Sequence, residues 1–168
     1  FSLVAEIANG TTTYVDNVAD TGIIGTILNS YDNAPPPTGL RYLTESTAVL
    51  FGALADKVYF TPVGAPNVWP TFNFLDFPSE VTGIGRLSIG IVVFTRNQSF
   101  LITGNGPETF TQQLLSGSDG CINHFTIKNM EGSLLWVSQQ GVCITNGGPI
   151  RVLTEPKLGP VSLDPVNA

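Results

Sequence analysis

Residues Thr47–Pro70, TAVLFGALADKVYFTPVGAPNVWP, decide how the chain is read. An apolar run, Ala48-Val49-Leu50-Phe51, leads to a short break at Ala55-Asp56-Lys57. A second run, Val58-Tyr59-Phe60-Thr61, follows, and then a turn at Gly64-Ala65-Pro66. Two β-prone runs of strand length, parted by a few polar residues, predict a β-hairpin.

The pattern returns twice. Ile91-Val92-Val93-Phe94 is followed by Arg96-Asn97-Gln98, by Phe100-Leu101-Ile102-Thr103 and by the turn Gly104-Asn105-Gly106-Pro107. Leu134-Leu135-Trp136-Val137 is followed by Ser138-Gln139-Gln140, by Val142-Cys143-Ile144-Thr145 and by Asn146-Gly147-Gly148-Pro149. An aromatic aligned at Phe51, Phe94 and Trp136, and a threonine at Thr61, Thr103 and Thr145, give a repeat of roughly 42 residues, in the range of four-stranded propeller blades. One small antiparallel sheet cannot cover both of its faces, whereas radial stacking covers them and leaves short edges. The expected fold is therefore all-β, with β-propeller-like blades of antiparallel strands. A β-sandwich with chance spacing is the other reading of the same strands.

Composition agrees with a folded β-protein. The 168 residues suffice for one domain or a piece of one. Hydrophobic residues make up 42% and charged residues 12%, which excludes a disordered chain and leaves a surface poor in charge. The 18 glycines and 12 prolines suit turns between short strands. The sequence has no apolar run long enough for a membrane-spanning helix and shows no signal-peptide pattern. A net charge of −6, with seven scattered Lys and Arg, argues against a nucleic-acid grip. Scarce charge with abundant Ser, Thr, Asn and Gln fits either surfaces buried against other subunits or an ordinary acidic protein.

Cys121 and Cys143 have no CxxC spacing and read as buried free thiols, with a disulfide between them as the lesser alternative. Asn97-Gln98-Ser99 and Asn9-Gly10-Thr11 are glycosylation sequons, meaningful only in a secreted chain.

Three segments follow from the chain in order. Residues 1–38 hold a strand from Phe1 to Ile7, a turn at Asn9-Gly10, a return strand from Thr11 to Val15, a loop and the stiff connector Ala34-Pro35-Pro36-Pro37-Thr38. Opening on a formed strand predicts that the chain starts inside a longer polypeptide. Residues 39–156 hold three blade repeats, beginning near Gly39, Val81 and Gly120. Residues 157–168 form a linker or arm.

The order of weak motifs carries a resemblance. Tyr14-Val15-Asp16, Pro36-Pro37-Thr38-Gly39-Leu40, Leu50-Phe51-Gly52-Ala53, Val58-Tyr59-Phe60-Thr61 and Asn67-Val68-Trp69-Pro70 come first. Val92-Val93-Phe94-Thr95, Leu101-Ile102-Thr103-Gly104, Gly120-Cys121-Ile122, Trp136-Val137-Ser138 and Gly141-Val142 follow. In this sequence they resemble a family of tailed-bacteriophage virion proteins, the β-propeller subunits of the tail nozzle or connector (the tail tubular, DNA-stabilisation type). The resemblance implies a structural subunit of the virion tail, present in the host cytoplasm during assembly. It implies homo-oligomeric rings that extend the genome channel, with other tail and portal proteins as neighbours. DNA would pass through or be retained without sequence-specific binding. Family members are longer, and a closed propeller needs at least four blades where this chain offers three, so the module is expected to belong to a larger propeller.

No enzyme is expected, and no catalytic, cofactor-binding or metal-binding residue is singled out. The lone histidine, His124, is expected in a strand, satisfied by one hydrogen bond. No nucleophile elbow, phosphate loop, zinc-helix or calcium-loop motif occurs. Asp16, Asp20, Asp56, Asp76, Glu80, Asp119 and Glu131 are the carboxylates a glycosidase would draw on, but their spacing selects no pair. Asp56 and Asn97 fall at corresponding hairpin breaks, as turn formers do. Trp69 and Trp136 are read mainly as packing residues. Stacked on sugars, they would support a second function, a carbohydrate-binding propeller module for host-surface attachment.

Overall fold

Each of the three hairpins grows into a four-stranded antiparallel sheet. The computed structural model describes residues 34–154. The first sheet contains β1 (Arg41–Ser46), β2 (Val49–Leu54), β3 (Lys57–Phe60) and β4 (Phe74–Asp76) in that order. The middle sheet contains β5 (Val81–Leu87), β6 (Gly90–Thr95), β7 (Ser99–Thr103) and β8 (Thr111–Ser116). The third contains β9 (Lys128–Met130), β10 (Ser133–Ser138), β11 (Gly141–Thr145) and β12 (Arg151–Val152). The protein is all-β, and the three meanders are consistent with propeller-like blades that belong to something larger. The hairpin expected before Val15 and the arm expected after residue 156 lie outside the described residues.

Two-residue turns fix the register of the three central hairpins. Leu54 pairs with Lys57, and Ser138 pairs with Gly141. Between them in sequence, the Thr95 amide donates to the Gln98 carbonyl at 2.9 Å. These turns put Leu54, Thr95 and Ser138 in equivalent places, at spacings of 41 and 43 residues. The aromatics at 51, 94 and 136 are consequently not one position. Phe51 is equivalent to Val92 and Leu135, Phe94 to Ala53, and Trp136 points to the opposite side of its sheet. A large ring can occupy any inward site on a strand, so turn geometry is the better anchor. Ala48, placed in a strand by its sequence, is also a turn residue. Thr47 and Ala48 have φ of 51° and 59°, the left-handed pair that a two-residue hairpin turn requires.

Two clusters of buried side chains join the sheets. Val49, Phe51, Ala53, Val58 and Phe60 of the first sheet meet Ile84, Ile91, Val93, Phe100 and Ile102 of the middle one. On the other side, Val92, Phe94 and Leu101 meet Leu134, Trp136 and Cys143 of the third sheet, with Leu87 and Cys121. Alternate residues of β6 thus point into different clusters, and every one of its six residues is buried. Fully burying such a side chain contributes about 1.5–3 kcal/mol.

The links between sheets repeat one device. The Val81 amide donates to the Ala55 carbonyl at 2.8 Å, and the Cys121 amide to the Thr95 carbonyl at 2.9 Å. Each incoming segment is tied to the central turn of the sheet before it. Glycine makes the second approach possible. A Cβ on Gly120 would collide with backbone atoms of Thr95 and Arg96. Adjacent sheets also approach closely through their first strands, β1 with β5 and β5 with β9.

Candidate functional site

Among the described residues, those that chemistry would use do not converge. Asp56 is exposed in the β2–β3 turn. The Asp76 carboxylate accepts from Lys57 Nζ across β3 and β4, and this partner holds the Lys57 ammonium above its ordinary pKa. Asp119 accepts from the Ser116 hydroxyl at 2.7 Å and orders the loop after β8. Glu131, at φ 49°, turns the chain between β9 and β10. Asp16 and Asp20 lie outside the described residues. Among the described residues, no group of three His, Cys, Asp or Glu side chains could hold a metal ion. Glu80 shares a cavity of about 290 Å³ with Arg41 and Tyr42, walled by Leu54, Ala55 and Val81. Arg41 and Glu80 are both exposed.

His124 lies in a single 3₁₀ turn, His124–Thr126, rather than in a strand. Asn123 caps that turn, its side chain accepting from the Phe125 amide at 2.9 Å. The imidazole stacks on Tyr42 with centroids 4.5 Å apart, over Gly83, where a Cβ would crowd Ile127 and the ring itself. Its Nδ1 is buried and has no hydrogen-bond partner, so the expected single bond is not made at that atom. Burial, reinforced by the Lys128 charge, pushes its pKa down. A neutral ring wedged between sheets is what this pocket accommodates.

Both cysteines are free and buried in the cluster between the middle and third sheets. Burial raises both thiols, Cys143 to about 11, which keeps them protonated and weakly nucleophilic. Trp69 and Trp136 are buried as well. Trp136 stacks on Phe94 at 4.8 Å and donates from Nε1 to the Gly120 carbonyl at 3.0 Å. Neither indole presents a platform for a sugar. Among the described residues, the most exposed aromatics are instead Phe72 and Phe125, at 79% and 82%.

No protein-family model and no curated protein matches the chain. What the described residues do present is a pair of apolar end faces. On the far side of the third sheet, Leu135, Val137, Val142 and Ile144 are half-buried, in contrast to Leu134, Trp136 and Cys143 on the near side. Register places Lys128 beside Leu135 and Arg151 beside Ile144 on that face. On the far side of the first sheet, Leu50, Leu54, Tyr59 and Phe74 are half-buried. Tyr59 and Phe74 stack at 5.7 Å, with the Lys57 ammonium 4.1 Å from the Phe74 ring centre. The sequence signal for these faces was the apolar run in β10, where Leu135 and Val137 accompany Leu134 and Trp136. A strand with one face in water alternates apolar with polar residues; a strand covered on both does not.

Proposed function

We propose that this chain is a structural subunit of a bacteriophage virion, of the tail nozzle or connector type, assembling into a ring that extends the genome channel. The observation that carries the reading is the pair of apolar end faces, which suits a module made to be packed between neighbours. The ordered motifs from Tyr14 to Val142 supply the virion context, and the dispersal of titratable groups fits a mechanical role. Function then resides in shape: subunits tile around an axis and leave a passage for DNA.

An acidic passage would repel phosphates and let the genome slide. The first strands of the sheets do not supply such a wall, since they carry Arg41, Arg86 and Lys128 against Glu45. The acidic surface belongs elsewhere on the subunit. Replacing Asp and Glu with Lys at channel-facing positions is expected to slow DNA exit from the particle, and unchanged ejection kinetics would speak against a channel role. The direct test is negative-stain electron microscopy of the natural assembly. Rings or short tubes with a central opening are expected. Isolated particles of subunit size would contradict the reading and return attention to a binding module, for which a glycan array is the next assay.

A further inference from the structure

Three departures from ordinary packing meet at one point between the sheets. Tyr42 has φ 56°, in the left-handed region that a bulky side chain rarely takes. It lies in the register shift of β1 between Arg41 and Thr44, a bulge of the kind that re-aims a side chain. Its ring meets the imidazole of His124, with centroids 4.5 Å apart. Against the imidazole lies Gly83 of β5, where a Cβ would stand 3.2 Å from Nδ1 and 3.4 Å from the His124 Cα. Nδ1 therefore faces the Gly83 backbone, buried and without a hydrogen-bond partner among the described residues. One imidazole thus touches β1 of the first sheet and β5 of the middle sheet, and it belongs to the 3₁₀ turn that leads into β9 of the third.

Protonation is the event this slot cannot absorb. A neutral imidazole needs no hydrogen on Nδ1, and the bare nitrogen leaves only one lone pair unused. The imidazolium is a donor at both nitrogens. Its Nδ1–H would press on the Gly83 backbone, charged and with no acceptor, and a buried charged donor left unpaired is strongly unfavourable. The surroundings give no relief. β1 presents Tyr42, β5 presents a glycine, and β9 presents Lys128, whose like charge acts on the ring. On the turn itself, the Asn123 side chain is taken by the Phe125 amide at 2.9 Å. The only carboxylate on β1, β5 and β9 is Glu45, and it is paired with Arg86 at 2.7 Å.

We propose that His124 is an acid-released latch: neutral, it fixes β1 to the turn that leads into the third sheet; protonated, it leaves the slot over Gly83 and frees the two from each other. The release is local. The moving piece is the turn, which is held to β10 where the Ile122 amide donates to the Val137 carbonyl at 3.0 Å and the Val137 amide donates to the Thr126 hydroxyl at 3.2 Å. The β6–β7 hairpin has no part in it. The latch lies inside the described residues and is independent of the virion reading.

Hydrogen exchange of the full 168-residue chain tests it, read by mass spectrometry at neutral pH and at about pH 5 and expressed relative to the intrinsic rate at each pH. Arg41–Ser46 and residues 122–130 are expected to lose protection about threefold or more at the acid pH, while β6 and β7 keep theirs. His124→Phe fills the slot with a ring that takes up no proton, and both segments should then stay equally protected at the two pH values. Should that variant fail to fold, His124→Gln replaces it, with the same absence of pH dependence expected. Protection of the two segments that is unchanged by pH in the wild type overturns the proposal. So does a loss shared equally by β6 and β7, or the same loss in the non-titrating variant.

Discussion

The middle sheet and the two that flank it are built from the same hairpin but live in different surroundings. β6 is buried along its whole length, with Ile91 and Val93 serving one cluster and Val92 and Phe94 the other. β10 alternates buried and half-buried residues although it is nearly as apolar. Among the described residues, the middle sheet has a neighbour on both faces and each flanking sheet has a neighbour on one. Apolar content thus records what a strand is made to touch, and burial records what touches it among the described residues.

Substitution across the two kinds of sheet should expose that difference most strongly at the rings. Phe94→Ala removes the partner of Trp136 from a site with no exposure and is expected to cost about 3–5 kcal/mol. Leu135→Ala, on an end face, is expected to cost about 1 kcal/mol in the separated chain. Urea denaturation at low protein concentration measures both, and equal losses would erase the contrast.

The joint between middle and third sheets comes next. Gly120→Ala drives a methyl group into the backbone of Thr95 and Arg96 and is expected to cost about 2 kcal/mol in the same assay. An unchanged midpoint would show that the joint yields.

A smaller, pH-dependent effect follows from His124. Its folded pKa lies below the ordinary value of 6.5, because burial and Lys128 disfavour the charged ring. As pH falls through 6.5 the unfolded chain takes up the proton first, so stability is full above that pH and declines below it towards the lowered folded value. Because this is the sole histidine, His124→Gln should flatten the decline between neutral and mildly acid pH. An identical slope in wild type and variant would place the titration elsewhere. Smallest of all, Glu45→Gln breaks the exposed 2.7 Å pair with Arg86 and should change stability by about 0.5 kcal/mol or less.

Much of the fold was legible because hairpins announce themselves through paired apolar runs and polar turns. Asp56 and Asn97 do sit in equivalent two-residue turns. The outer strands were harder to read. β8 and β9, TQQLLS and KNM, are largely exposed, so they carry no apolar period. Thr47-Ala48 turns without glycine or asparagine, and only its positive φ values betray it. His124 was misplaced because a 3₁₀ turn of three residues leaves no periodicity, although Asn123 was a visible cap. The end faces were legible as apolar residues but not as faces, since Leu135 and Trp136 differ in sequence only by parity along the strand.

Hydroxyl-radical footprinting of the full chain over a range of protein concentrations shows directly whether the end faces are contact surfaces. Labelling of Tyr59, Leu135 and Ile144 is predicted to fall together as concentration rises, while exposed Phe72 and Phe125 stay labelled. Labelling of all five residues that stays constant with concentration would contradict the account.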